Sequence, residues 1–147
     1  MAQKVLNKFF EKYIKGTAYK SAVVNSKIFL CHLTNAVCLG IGINKESKKV
    51  YITSRAVKHL FDKKLAEEFL FLIDNLHKVV KYPDKIYRNR PGKRGEYCLV
   101  KRIGDANYLC SIEITASNED YKEIQIATAF RLRDDDYIKK YALLWSW

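Results

Sequence analysis

The sequence is short of acidic residues, glycine and long apolar runs, and each shortage excludes a class of protein. Its 147 residues include 16 Asp and Glu against 27 Lys and Arg, so the net charge is +11. The longest apolar run, residues 37–43, is far too short to span a bilayer. The few glycines form no phosphate-binding loop, since Gly92 and Gly95 lie in a basic turn with no helix behind them. With a hydrophobic share of 48%, the chain is predicted to be one globular domain with its own core.

Metal and disulfide chemistry also lack support in the sequence. The four cysteines show no CxxC pair and no cysteine–histidine spacing suited to zinc, and each lies in an apolar run. We therefore expect buried free thiols. The single acidic cluster, residues 134–136, has three consecutive carboxylates that diverge rather than converge on an ion. No metal site and no cofactor are expected. The first residues are charged and amphipathic rather than a secretory apolar segment, which favours a cytoplasmic protein with no membrane partner.

The positive charge is unevenly distributed along the chain. Residues 1–50 carry a net +7, residues 82–103 carry +5, and residues 104–147 carry −3. Concentrated positive charge attracts polyanions and speeds their capture. A generally lysine-rich composition explains the N-terminal lysines equally well, but it does not explain the arginines of residues 82–103.

The hydrophobic pattern predicts an α+β fold built around residues 82–131. Four strand-length runs rich in β-branched residues are separated by turn residues, which predicts a four-stranded antiparallel β-meander packed against helices. Upstream, the pattern predicts an N-terminal amphipathic helix (residues 4–15), strands at residues 27–33 and 49–53, a short helix from residue 54 and a longer helix over residues 64–80. A last helix is expected from Tyr137 to about Leu144, after the acidic cluster.

Several residues of this pattern could carry chemistry. His59 lies on the short helix, and imidazole is suited to proton transfer near neutral pH. A partly exposed surface histidine is the alternative. Lys101 and Arg102 are neighbours on a strand and must point to opposite faces, and the pattern does not decide which one faces a site. Strict alternation places Thr128 on the same face as Ile124, Ile126 and Phe130. Tyr137 offers a phenol, or simply packs.

The order of these parts resembles the phage-associated nuclease families of the barnase–EndoU–colicin–RelE-like group. The resemblance covers residues 50 to about 145, through Val57-Lys58-His59-Leu60, the Tyr82-Pro83-Asp84 turn, the strand Tyr97–Lys101 and the strand Ile124–Phe130. It implies a nuclease-like core over residues 50–147, with residues 1–49 as an N-terminal helix and strand extension packed on that core.

The resemblance also implies roles for individual residues. His59 would be the general acid or base, Lys101 or Arg102 would stabilise the phosphorane, and Thr128 would position the scissile phosphate. Since no second histidine completes an acid–base pair, Arg131 or Tyr137 would have to help. Phosphate contacts are predicted for Arg88, Arg90, Lys93 and Arg94, and base stacking is predicted for Tyr87 and Tyr97.

The implied function is metal-independent cleavage of RNA. The ribose 2′-hydroxyl would attack the adjacent phosphorus and leave a 2′,3′-cyclic phosphate, as in a phage or mobile-element toxin that acts on tRNA or mRNA. An acidic immunity or antitoxin protein would be its natural partner. The alternatives are a non-catalytic RNA-binding module and a phage accessory protein with the same basic surface.

Overall fold

The computed structural model describes residue 8 and residues 26–43, 48–63, 66–91, 95–116, 122–134 and 136–147. Seven strands and four helices lie in these ranges. In chain order they are β1 (Lys27–His32), α1 (Asn35–Ile41), β2 (Lys49–Thr53), α2 (Ser54–Lys63), α3 (Ala66–Lys81), β3 (Lys85–Arg88), β4 (Tyr97–Ile103), β5 (Ala106–Ala116), β6 (Lys122–Leu132), α4 (Asp136–Lys139) and β7 (Ala142–Ser146).

The strands form one mixed sheet in the order β1-β2-β6-β5-β4-β3-β7. The α+β class is confirmed, and strands β3 to β6 are consecutive antiparallel neighbours. The prediction of a four-stranded antiparallel meander is wrong, because the sheet is mixed and has seven strands. Strand β2 pairs in parallel with β6, through Val50 opposite Ile124, and brings β1 with it. No local pattern in the sequence reports a pairing between strands so far apart along the chain.

One face of the sheet is covered by α2 and α3. The predicted stripe of the long helix is buried, including Phe69, Ile73 and Leu76, and it packs with sheet residues such as Leu99 and Ile112. Helix α3 ends at Lys81, as the following Tyr82-Pro83 predicts. The four cysteines are buried and free, as expected. Burial raises the pKa of the Cys31 and Cys98 thiols to about 12, so neither is a thiolate at neutral pH.

The predicted alternation in β6 is wrong because the strand contains an irregularity. The β5–β6 register shifts between Ser111 and Ile112, which changes the face on which the later residues lie. Ile124 and Ile126 are therefore in the helix-covered core, whereas Phe130 packs in a cluster on the other face. Thr128, opposite Ser111, shares the face of Phe130.

The predicted C-terminal helix is also largely wrong. Helix α4 spans only Asp136–Lys139, and the chain then becomes β7, which pairs with β3 through Tyr87 opposite Leu143. Strand β3 would otherwise be an edge with unpaired backbone groups. Those hydrogen bonds favour a strand over continuation of a short, exposed helix.

The predicted N-terminal helix (residues 4–15), Lys93 and Arg94 lie outside the described residues. Within residues 1–49, β1 is hydrogen-bonded to β2 in the main sheet, and Leu30, Val37 and Cys38 belong to the core. In the described part of the chain, no helix is long and apolar enough to cross a membrane.

Candidate nucleic-acid interface

The face of the sheet opposite α2 and α3, here called the open face, carries a second and smaller apolar cluster. Its buried members come from β3 to β6 and from the residues after α4, namely Tyr87, Cys98, Val100, Leu109, Leu132 and Tyr141. Helix α4 covers part of this face, because Ile138 packs against the cluster. The cluster packs tightly on this face of the sheet, and polar side chains of the same strands lie beside it.

Two depressions of about 590 and 450 Å³ adjoin this cluster, and Arg102, Asn107 and Leu132 line both of them. We call the joined depressions the basic groove. Its charged lining is predominantly positive and consists of Lys85, Arg102, Arg131, Arg133 and Lys139, with Asp84 and Asp105 as the acidic members. The groove therefore offers a concave surface on which an anion of extended shape can be bound.

Arg102 lies where the two depressions meet. Its backbone N–H donates to Asp84 Oδ2 at 2.7 Å, and its Nε donates to the Gly104 carbonyl oxygen at 3.3 Å. Within the described residues, its two terminal guanidinium nitrogens have no hydrogen-bond partner. A guanidinium fixed at Nε with its outer N–H groups available is suited to paired contacts with a phosphate.

The β4–β5 hairpin places Asn107 beside Arg102. Its loop is Gly104-Asp105, with Ile103 opposite Ala106, and Gly104 has a φ of 65°. This register puts Asn107 directly across from Arg102. Sequence reasoning missed Asn107, although a Gly-Asp pair between two strands was a signal that fixes this register.

Other cations of the groove are partly neutralised. Arg133 pairs with Glu68 on α3 at 2.6 Å, and Lys139 pairs with Asp136 at 2.5 Å. Arg131 is exposed, and its register opposite Tyr108 places it on the covered face, where it reaches the groove only at the end of the sheet. Lys85 lines only the larger depression, whereas Arg102 lines both, so Arg102 is the groove cation best placed for a ligand.

Lys101 and Arg102 diverge as the strand pattern requires. Lys101 lies opposite Tyr108, on the covered side, and its Nζ donates to the Tyr82 carbonyl oxygen at 2.9 Å. The same Nζ is 3.9 Å from Asp84 Oδ1. Of the two candidates, Arg102 is the one on the open face.

His59 is not brought together with the open-face candidates. It is half-buried on α2, the helix that packs on the covered face, whereas Thr128 lies on the open face opposite Ser111. The sheet lies between them. Thr128 is also remote from Arg102, because Arg102 is in register with Asn107 and Leu132, whereas Thr128 lies four residues along β6 from Leu132 and lines neither depression.

Tyr137 lies at the open face beside a second tyrosine. Its ring is 5.5 Å from that of Phe130 and 5.6 Å from that of Tyr141. Burial and a hydrogen bond to Tyr137 raise the pKa of the Tyr141 phenol. Tyr141 therefore stays protonated at neutral pH and can donate a hydrogen bond. Sequence reasoning missed it because the region was predicted to be helical to its end.

The residues predicted to contact phosphates and bases are dispersed. Arg88 Nη1 donates to the Tyr97 hydroxyl at 3.4 Å, with its guanidinium 5.3 Å from the ring centre, and Arg90 is exposed in the following turn. Tyr87 and Tyr97 are each only 9% exposed, so most of their ring surface is covered. Any base-stacking role for them remains a prediction. Among the described residues, no three His, Cys, Asp or Glu side chains lie close enough to hold a metal ion.

Comparison with known proteins gives one match. A family model described as phage-Barnase-EndoU-ColicinE5/D-RelE like nuclease3 matches residues 33–139. The matched span includes His59, Arg102, Thr128 and Tyr137. Searches of curated proteins and of solved structures gave no match.

Proposed function

The chain belongs to the phage-Barnase-EndoU-ColicinE5/D-RelE like nuclease3 family, and from this premise we propose that it is an endoribonuclease that cuts RNA on the open face of its sheet. The observation that carries the proposal is the position of Arg102, at the junction of two depressions and among basic side chains. A phosphate bound at that junction would have its neighbouring phosphates in the two arms of the groove.

The proposed reaction is an intramolecular transesterification of the RNA backbone. The 2′-oxygen forms a bond to phosphorus while the bond to the 5′-oxygen breaks, which gives a 2′,3′-cyclic phosphate and a free 5′-hydroxyl. One proton leaves the 2′-hydroxyl and one is delivered to the departing 5′-oxygen. Negative charge on the phosphorane increases during the attack, and the Arg102 guanidinium would stabilise it. No metal ion is needed for any of these steps.

Two groups compete for the proton-transfer role. On the open face, Tyr141 lines the larger depression with Arg102, and its protonated hydroxyl would donate a hydrogen bond to the leaving oxygen. Its raised pKa makes it a weak acid, so the hydrogen bond rather than acidity is its contribution. Thr128 is on the same face but four residues along β6 from the position in register with Arg102, so it would contact a neighbouring phosphate of the bound RNA. The alternative is His59, whose position on α2 would require a separate site on the covered side. We favour the tyrosine pair because it shares the face of Arg102.

The test is cleavage of mixed tRNA and mRNA in EDTA, followed by analysis of the new ends. Wild-type protein should give cyclic-phosphate ends. Replacing Arg102 with Ala should lower the rate about 100-fold or more, the usual cost of losing one transition-state charge partner. Arg55→Ala, at an exposed arginine of α2, is the matched control and should cut normally.

Further variants separate the remaining roles. Tyr141→Phe should slow cleavage and His59→Ala should not, and the reverse result would move the site to the covered side. Salt-sensitive binding without any cleavage would instead identify a non-catalytic RNA-binding module. A toxin role would be supported if expression of wild-type protein but not of R102A arrests growth. An acidic immunity protein bound at the basic groove would be the expected partner of such a toxin.

A further inference from the structure

We propose that a third depression, at the β7 edge of the sheet, is a subsite that binds an unpaired nucleobase of the RNA held in the basic groove. The inference rests on the proposed function and adds to it a preference for single-stranded substrate. The depression has a volume of about 300 Å³, and Lys81, Tyr82, Asp84, Lys101 and Trp147 are among its lining residues. We call it the aromatic depression.

Its two aromatic side chains are unusually exposed. Tyr82 is 56% exposed and Trp147 is 55% exposed. Large aromatic side chains normally lose most of their surface on folding, and exposed ones are common where a protein binds a partner. Flat rings beside a concavity are the surfaces on which unpaired bases stack, and every base has a face that can use them.

Two contacts with the rest of the fold hold Trp147 in position. Its backbone N–H donates to the Asp84 carbonyl oxygen at 3.0 Å, and its ring centre is 5.7 Å from that of Trp145. Trp145 in turn packs over Gly40 of α1, where an added Cβ would lie 3.3 Å from Trp145 Cβ. A ring held in place before binding loses little conformational entropy on stacking.

Two lysines supply the charge that a nucleotide needs in addition to stacking. Lys81 Nζ lies 5.5 Å from the centre of the Tyr82 ring, and Lys101 Nζ is bound to the Tyr82 carbonyl oxygen at 2.9 Å. Asp84, the acidic member, already accepts a hydrogen bond from the Arg102 backbone. The depression therefore combines aromatic surface with positive charge, as sites for single-stranded nucleic acid do.

The aromatic depression meets the basic groove at Asp84, which lines both of them. The two lie on opposite sides of the sheet there, since the consecutive residues Lys101 and Arg102 point to the two sides. An RNA strand bound at Arg102 would have to pass around the end of β3 at Asp84 to place an unpaired base beside Trp147. A base paired in a duplex would first have to leave its stack and its pairing partner at a cost in free energy, so the subsite favours unpaired RNA.

The experiment uses the full chain and a single-stranded 2′-O-methyl RNA, which cannot undergo the proposed cleavage. The adenine analogue 2-aminopurine replaces one base at a time, and its fluorescence falls when it stacks. Trp147→Ala and Tyr82→Ala should each weaken binding about tenfold, which is 1.4 kcal/mol and within the ~1–3 kcal/mol expected for one stacked base. In each of these two variants, the fluorescence quenching observed at one base position of the RNA should disappear.

The controls are Trp147→Phe, which retains an aromatic ring and should retain quenching, and Leu39→Ala at an exposed apolar position of α1. Unchanged affinity and quenching in both alanine variants, with R102A still weakening binding, would overturn the subsite and leave the nuclease proposal intact. Loss in the alanine variants but not in R102A would support the subsite and count against the groove. A wild-type dimer that W147A converts to a monomer would show that this patch instead binds a second copy of the chain.

Discussion

His77 on α3 shows how burial determines the protonation of a single residue. Burial lowers its pKa from 6.5, and the nearby Lys78 and Lys81 lower it further, while Asp74 acts in the opposite sense. In the described structure its buried Nδ1 has no hydrogen-bond partner. The folded protein therefore favours neutral His77, although a positive charge would suit the end of the helix.

We predict that this histidine makes the fold less stable in weak acid. Because the folded pKa is below the unfolded one, the unfolded chain binds more protons, and stability falls as the pH drops below about 6.5. His77→Gln removes that titration. Its free energy of unfolding, measured by urea denaturation, should fall less between pH 7 and pH 5 than that of wild type. An equal fall in both proteins would contradict this assignment.

Single residues of the candidate site were predictable only up to the choice of face. Alternation in β4 required Lys101 and Arg102 to diverge, and they do, but only the register with β5 shows that Arg102 is on the open face. Strict alternation predicted that Thr128 shares a face with Ile126, which is wrong because β6 contains a bulge. The residue pattern of β6 gives no indication of this bulge. Position relative to a sheet depends on pairing partners, which lie far away in the chain.

At the scale of elements, the contact between α1 and β7 depends on one glycine. A Cβ at Gly40 would lie 2.9 Å from Ile86 Cδ1 and 3.3 Å from Trp145 Cβ. Alanine usually stabilises a helix by about 1 kcal/mol relative to glycine. Overpacking against the fully buried Ile86 should cost more, about 1–3 kcal/mol.

We therefore expect Gly40→Ala to lower the melting temperature by about 3 °C and to change the tryptophan fluorescence, since Trp145 must move. The matched control in the same helix is Leu39→Ala, which removes an exposed side chain and should change stability little. A Gly40→Ala variant that is more stable than wild type would mean that helix propensity outweighs this contact.

Elements with strong internal patterns were predictable, and those set by a neighbour were not. The apolar stripe of α3 and the four runs of the meander correctly predicted a helix and strands β3 to β6. Strand β7 was predicted as helix because residues 142–146 show neither period clearly. Residues 142–146 form a strand because they pair with the edge of β3 that would otherwise be free. The sequence pattern does not show that this edge needs a partner.

For the whole molecule, residues 26–43, which the structure describes, contribute to the core. Leu30, Leu33, Val37, Cys38 and Ile41 are buried, and β1 supplies the antiparallel partner of β2. We predict that a fragment of residues 50–147 does not unfold cooperatively, because losing these side chains exposes apolar surface that the remaining core cannot cover. Circular-dichroism melting beside the full chain is the measurement. A cooperative transition in the fragment would show that residues 1–49 are a dispensable extension.

The net charge of +11 raises the question of whether RNA is held by the whole surface or by the basic groove. Salt dependence can answer it, because each phosphate contact to a single strand changes the slope of log K against log salt by about −0.7. Arg102→Ala should reduce the magnitude of that slope by about 0.7, whereas Arg55→Ala, which also removes one charge, should not change it.

Trp147→Ala should differ from both variants. Stacking releases no counterions, so this variant should bind more weakly at every salt concentration with the wild-type slope. Fluorescence anisotropy with the 2′-O-methyl oligonucleotide at 50 to 300 mM salt would measure all three. Equal slope changes in Arg102→Ala and Arg55→Ala would assign binding to the diffuse charge of the molecule, and the groove would then have no special role. Different slopes would localise the electrostatic contact to the open face and leave stacking as a separate contribution at the β7 edge.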